Sequence, residues 1–433
     1  MTPQCNFMVL APVAADRVGE LRQLLRSMNR SPGVVDPQNG LIPFAQFGML
    51  HFARLLVLED MTLNDITAYG LPRVNYPIYL AVLADFDGPE DEFVAELIRR
   101  AGEGLKRIFS HCQGFRPDGD LGAWLQSQSV SPATAYVNWI GRTVKQVGEE
   151  AELHDALVSY VQQNRATLAA MPPGQVHETL VRHVRSEQQL GRLTLTPAAP
   201  TPLGWQLRNL LNLLGVPLIL LLLTPFLLIY LPFFLIQLRW HEKRDPVIAP
   251  RIDPTHAHQL AILEDHDVTN QFSAMGSLKP GLFRRWTLTF ILWVIDFTAK
   301  HIYGRGRLAR VSTIHFARWV FLDNKKRLLF ASNYDGSLES YMDDFINKVG
   351  FGLNVVFGNG IGYPATRWMV LDGAKNEQKF KYVLRRHELA TEVWYNAHPG
   401  LTALDRHRNH LIREGLEKSA LSDAEAQQWL ELI

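Results

Sequence analysis

The sequence predicts an α+β protein built from two similar halves with an apolar insertion between them, and three observations predict it. Matching segments recur in the two halves, each half alternates strand-like and helix-like stretches, and residues 209–238 run for thirty positions without a charge. At 433 residues, 47% hydrophobic and 20% charged, the chain is long enough for two ordinary domains with cores of their own.

The duplication is read from colinear blocks. Met49-Leu-His-Phe-Ala-Arg-Leu55 matches Thr313-Ile-His-Phe-Ala-Arg-Trp319, and Ala84-Asp-Phe-Asp-Gly88 matches Ser332-Asn-Tyr-Asp-Gly336. Further on, Ile108 to Phe115 lines up with Val356 to Tyr363, and Thr134 to Asn138 with Thr391 to Asn396. His51 and His315 lie 264 positions apart, whereas Asp87 and Asp335, like Gly114 and Gly362, lie 248 apart. One extra stretch of 16 residues in the first copy accounts for the difference; Met61 to Tyr76 has that length and contains the turn formers Gly70-Leu-Pro72.

Within the first copy, alternation and β-branched content predict strands at 6–13, 47–58, 77–87 and 135–139, with helices at 16–28 and 90–108. In the second copy the strands fall at 269–278, 311–322, 327–335 and 392–397, with helices at 281–303 and 338–349. Each copy then reads βαββαβ, the ferredoxin-like order, and two copies are expected to bury their open sheet faces against each other as an α/β barrel. Helical tails follow at 145–163 and 405–433. Asp87-Gly88 and Asp335-Gly336 end strands before helices, where turn and cap chemistry favours them, with Ser337 as a cap.

The insertion is expected to hold the protein in a membrane. Its length exceeds the ~20 apolar residues that span a bilayer core. Pro217, Pro225 and Pro232 interrupt it. Basic residues flank both ends, Arg208 on one side and Arg239, Lys243, Arg244 and Arg251 on the other, as expected if both face the cytoplasm. Two copies sharing one barrel must lie on one side of the membrane. A re-entrant hairpin turning near Thr224-Pro225 satisfies that, its legs of about fifteen residues reaching only ~22 Å. Leu220, Pro225, Phe226 and Phe233 are its expected lipid contacts. The organisation is then repeat one with its tail at 1–165, a helix and Pro-rich linker at 166–208, and the hairpin at 209–240. A second Pro-rich linker takes 241–262, and repeat two with its tail 263–433.

Residues 283–303 are far more apolar than their counterpart in the first copy and basic at both ends, with Arg284, Arg285, Lys300, Arg305 and Arg307. Too short to span, they read as an interfacial helix with Trp286, Phe290 and Trp293 as anchors, or as a buried packing helix. With 44 basic and 43 acidic residues, no global field favours nucleic acid. Two distant cysteines, Cys5 and Cys112, suit a reducing compartment, and no signal peptide is recognised at the start.

For chemistry, the repeated pairs His51/Arg54 and His315/Arg318 stand out, because each lies in a strand with apolar residues on both faces. Buried groups of that kind need partners. They either line a ligand space between the sheets, with Trp319 beside them, or hold the sheets together. Salt bridges Arg54 to Asp87 and Arg318 to Asp335 would explain why both pairs recur. His256-x-His258, Glu264-Asp-His-Asp267 and His407-x-x-His410 match no metal-ligand spacing, so no metal site is expected; no P-loop, GxGxxG, GxSxG or HExxH occurs.

The tandem arrangement resembles the dimeric α/β-barrel superfamily, which includes dye-decolorising peroxidases and chlorite dismutases, over about 6–139 and 269–397. Ser332-Asn-Tyr-Asp-Gly336 is similar to the GxxDG motif of the peroxidases, with Ser in place of the first Gly. The resemblance implies Asp335 as a distal acid, Arg318 as an oxyanion stabiliser, His315 in the same catalytic group, and haem as the cofactor. The expected function is a membrane-attached protein binding an apolar or haem-like ligand between its repeats, acting as an oxidoreductase on a lipid-soluble substrate. The competing expectation is a non-catalytic scaffold or lipid-binding module whose partner is the lipid bilayer.

Overall fold

A computed structural model describes residues 1–433 except Ala249, Gly304, Arg305, Ser419 and Ala420, so the expected cation at Arg305 lies outside the described residues. The chain is mixed α/β with two antiparallel four-stranded sheets and one long apolar helix. The strands are β1 (Gln4–Pro12), β2 (Leu50–Leu58), β3 (Tyr79–Asp87), β4 (Thr134–Val137), β5 (Thr269–Ser277), β6 (Ile314–Leu322), β7 (Arg327–Asp335) and β8 (Thr391–Asn396). The helices are α1 (Val18–Arg26), α2 (Glu90–Phe109), α3 (Val144–Gln163), α4 (Pro173–Gln189), α5 (Leu203–Arg244), α6 (Pro254–Leu263), α7 (Leu282–His301), α8 (Leu338–Phe357), α9 (Glu377–His387), α10 (Ala403–Glu417) and α11 (Asp423–Leu430).

The first sheet has the order β1-β3-β2-β8 and the second β4-β6-β7-β5. Each is therefore completed by the last strand of the other half: Trp394 of β8 lies opposite Arg54 of β2, and Val137 of β4 opposite Phe316 of β6. No closed barrel forms among the described residues; the sheets stay open and pack face to face. Met8, Leu10, Leu56, Leu58 and Leu83 from the first sheet share a core with Met275, Val320, Leu322 and Leu329 from the second.

Helices cover the outer faces. Leu21 and Leu25 of α1 and Phe93, Leu97 and Leu105 of α2 pack on the first sheet, repeating at the three- and four-residue spacing of one helical stripe. Leu288 and Leu292 of α7 and Leu338, Phe345, Leu353 and Val356 of α8 cover the second. The tails α3, α4, α10 and α11 form their own core around Leu153, Leu157, Leu180, Ile412 and Trp429. The segment 61–76, expected as an insertion, carries a short helix, Leu63–Ala68, whose Asp65 takes Arg386 of α9 bidentately at 2.7 and 2.8 Å.

The apolar run departs from the expected hairpin. It forms one uninterrupted helix, α5, through Pro217, Pro225 and Pro232. Each proline removes one helical hydrogen bond, and the three are spaced so that each loss is separate, leaving intact turns between them. At the helical rise its 42 residues reach roughly 63 Å. Pro225, Phe226 and Phe233 are exposed and Leu220 is half-buried, and no residue in the most apolar stretch of the helix is fully buried.

Both ends of α5 are fastened to the same body. Asn212 meets His301 of α7 at 2.8 Å; further along, Phe234 and His241 pack on Phe283, also of α7. The Glu242 carboxylate accepts from the Thr366 hydroxyl at 3.0 Å and the Met369 amide at 2.8 Å. Just past the helix, Asp245 accepts from Arg284 at 2.6 Å, Lys279 at 2.9 Å and Tyr69 at 2.6 Å. Trp286 is exposed and Trp293 half-buried on α7.

Candidate functional site

His51 and His315 occupy the same place in the two sheets. Register slips between Leu50 and Phe52 in β2, and between Ile314 and Phe316 in β6, so each histidine is the extra residue of a β-bulge. A bulge re-aims the side chain it carries. Strict alternation would put His51 on the outer face with Ala53 and Leu55; the bulge turns it inward instead, beside Phe316 at 5.6 Å between ring centres.

Their partners correct the expected pairing. His51 Nε2 meets Asp87 Oδ1 at 2.9 Å, and His315 Nε2 meets Asp335 Oδ1 at 2.6 Å; the arginines go elsewhere. The second oxygen of each carboxylate accepts the first free amide of a following helix, Val144 of α3 and Ala403 of α10, both at 2.7 Å. That is where unpaired helical N–H groups and the positive dipole end favour a negative charge. Gly88 and Gly336 follow with the same φ of +86°, a conformation glycine adopts without strain. Burial holds the His315 imidazole below its ordinary range, so it is neutral and donates from Nε2. Burial pushes Asp335 up, but His315, the Ala403 amide and the Thr269 hydroxyl outweigh it and keep the carboxylate ionised.

Arg54 and Arg318 cross between the sheets. Arg54 donates to the Phe272 carbonyl at 2.9 Å, Ser273 Oγ at 2.8 Å, the Ser332 carbonyl at 2.8 Å and Asn333 Oδ1. Arg318 reciprocates, donating to the Phe7 carbonyl at 2.9 Å, the Ala84 carbonyl at 3.2 Å and Asp85. Asn333 and Asp85 are equivalent positions and touch each other at 3.3 Å. One carboxylate thus serves two buried guanidiniums. Burial first and then Arg318 draw Arg54 down to about 9, with Asp85 opposing.

The space beside the histidines is small. Gln4, His51, Asn138, Arg142, His315 and Arg406 line a cavity of about 30 Å³, room for about one water. Phe52, Phe316 and Trp394 fill the neighbouring interface. A haem does not fit there: His315 Nε2 is taken by Asp335, and Arg318 points away from Asp335 into the other sheet. No step through haem follows from these residues. His51 Nδ1, Arg142 Nη2 and Arg406 Nε, all buried, have no protein partner among the described residues, which suits a bound water.

Trp319, expected beside the histidines, lies on the outer face of β6. It lines a different cavity, about 350 Å³, between α7, α8 and the second sheet. Phe290, Val294, Phe330, Phe345 and Val356 are among its wall residues, and its polar lining is slight. The volume lies in the ~300–1,000 Å³ range of small-molecule sites. α8 kinks at Val349, where φ is −138°, then continues eight residues beyond the expected helix end and forms one wall. A side chain at Gly352 would meet open space there. The buried Trp319 Nε1 has no protein acceptor among the described residues.

Several histidines and acids of the short clusters make structural contacts. His256 meets the Glu388 carbonyl at 3.0 Å, Asp267 accepts from Asn396 at 2.9 Å, and His410 meets Glu150 at 3.0 Å. Sequence reasoning missed the second cavity, whose only local signal was the apolar, glycine-containing continuation Gly350-Phe-Gly-Leu353 past the predicted helix end. Compared with known protein families, curated proteins and solved structures, the chain finds no match.

Proposed function

We propose that this is a membrane-attached binding protein that lies on one leaflet and holds an apolar ligand in the cavity between α7 and α8. The cavity itself carries the reading: about 350 Å³ of almost wholly apolar space, walled by a helix that also packs against the exposed apolar α5. A ligand soluble in lipid would reach it from the bilayer.

The topology supports attachment from one side. β4 precedes α5 and β8 follows it, yet each pairs with a strand from the other half. A crossing by α5 would put hydrogen-bonded neighbours on opposite sides of the membrane. α5 is long enough to cross, and we read it as embedded in one leaflet with both ends tied to the sheets. Basic flanks at Arg208, Arg239, Lys243 and Arg244 favour the cytoplasmic leaflet. We read the halves as diverged ferredoxin-like copies, and the His–Asp and arginine networks as the devices that lock them together.

Gly352→Leu tests the binding site. Leucine is the better helix former by somewhat under about 1 kcal/mol, and its side chain enters open space, so the variant is expected to fold at least as well as the parent. Lipid extraction and mass spectrometry should recover an apolar small molecule from the parent and little from the variant. Equal recovery from both would refute the assignment of the cavity.

A further inference from the structure

We propose that the ligand of this cavity is an anionic amphiphile, an acyl chain bearing a carboxylate or phosphate head; this rests on the apolar-site reading above. The apolar cavity does not end in bare solvent. Tyr303, Ala309 and Phe351 line both it and an adjoining open cleft of about 790 Å³. Arg307, Arg310, Lys348 and Lys375 line that cleft, and among the described residues no aspartate or glutamate does. Lys348 is paired with Asp344 at 2.8 Å; Arg307, Arg310 and Lys375 have no salt-bridging carboxylate among the described residues. A tail in the inner cavity therefore leaves its head among three cations that have no salt-bridging carboxylate among the described residues.

The cleft also opens where a lipid would arrive. Val370 and Leu371 on its rim are exposed, and their neighbour Trp368 stacks under Arg239 at the end of the apolar run of α5. Phe351 at the junction is 62% exposed, an apolar ring on the path between rim and cavity. Apolar rim, cationic cleft and apolar interior occur in the order in which a chain with a charged head would be threaded.

Full-length protein in nonionic detergent is titrated with oleate and with oleyl alcohol, which share a chain and differ in the head, and with lysophosphatidylglycerol to separate carboxylate from phosphate. Oleate or the lysophospholipid is expected to bind about tenfold more tightly than the alcohol at low salt, a sum of several modest exposed charge contacts. Whichever anion binds more tightly identifies its source. In Arg307→Gln/Arg310→Gln/Lys375→Gln, and at high salt, the preference should fall to about one. Equal binding of all three ligands would overturn the anionic head and leave the apolar site standing. Binding of none would overturn both. If the triple variant loses affinity for phosphatidylglycerol vesicles but keeps its preference for oleate, the cations serve the bilayer surface and the proposal fails.

Discussion

Among the described residues, Asp85→Asn removes the only carboxylate between two guanidiniums that are 96–97% buried, since Arg54 and Arg318 are 4% and 3% exposed. Asp85 accepts directly from Arg318 and touches Asn333, which in turn accepts from Arg54. Removing one partner of a buried pair leaves an uncompensated charge and costs ~3–5 kcal/mol. Here two arginines lose their counter-ion, so the upper part of that range is expected. Because Asp85 and Asn333 are equivalent positions in reciprocal networks, Asn333→Asp should supply the missing charge from the other side. The double variant Asp85→Asn/Asn333→Asp is then expected to recover more than half of the loss, while Asn333→Asp alone sets two carboxylates side by side and destabilises. Urea unfolding of the full chain in detergent, followed by tryptophan fluorescence, reads this out; Trp394 sits 5.1 Å from the Arg54 guanidinium. A cost below about 1 kcal/mol for Asp85→Asn, or a double variant no more stable than the single one, would refute the shared-carboxylate account.

Two further outcomes are expected. Burial raises Glu392 to about 7, against the opposing pull of Arg22 and the Val57 amide. The folded protein therefore holds this proton more tightly than the unfolded chain, and stability falls as pH rises from about 4.5 to about 7 and then levels off. Glu392→Gln should flatten that slope and gain at most about 3 kcal/mol at pH 8; an unchanged pH profile of unfolding would count against the burial of this group. Tags at Met1 and Ile433 should be cleaved by protease from the same face of sealed vesicles, and accessibility from opposite faces would show that α5 crosses.

Much of the secondary structure was legible in the sequence because it depends on local periodicity. The β7 limits, Arg327 to Asp335, were read correctly, and the paired His-Phe-Ala-Arg motifs sit at matching positions in β2 and β6. The recurring motifs also pointed to the residues of the interlocked network. Their partners were not legible: alternation assumes an unbroken ladder, and one bulge in each strand turned the histidines onto Asp87 and Asp335. The arginines were then free to cross to the opposite sheet. The prolines of α5 misled in the same way, since a proline weakens a helix locally but whether it ends one depends on what holds the flanks.

The sequence by itself determined that short motifs recur in its two halves, that strand-like and helix-like stretches alternate, and that one long segment is free of charge. Those are properties of residue type and spacing. Only the tertiary structure decided that the closing strands are exchanged between sheets, so that both ends of α5 return to one body. It also decided that the space beside the histidines shrinks to about 30 Å³ while α7 and α8 leave a larger cavity on the far side of the second sheet. Strand exchange and cavities depend on which surfaces meet across hundreds of residues, and a pattern that repeats every two or four positions carries no record of that.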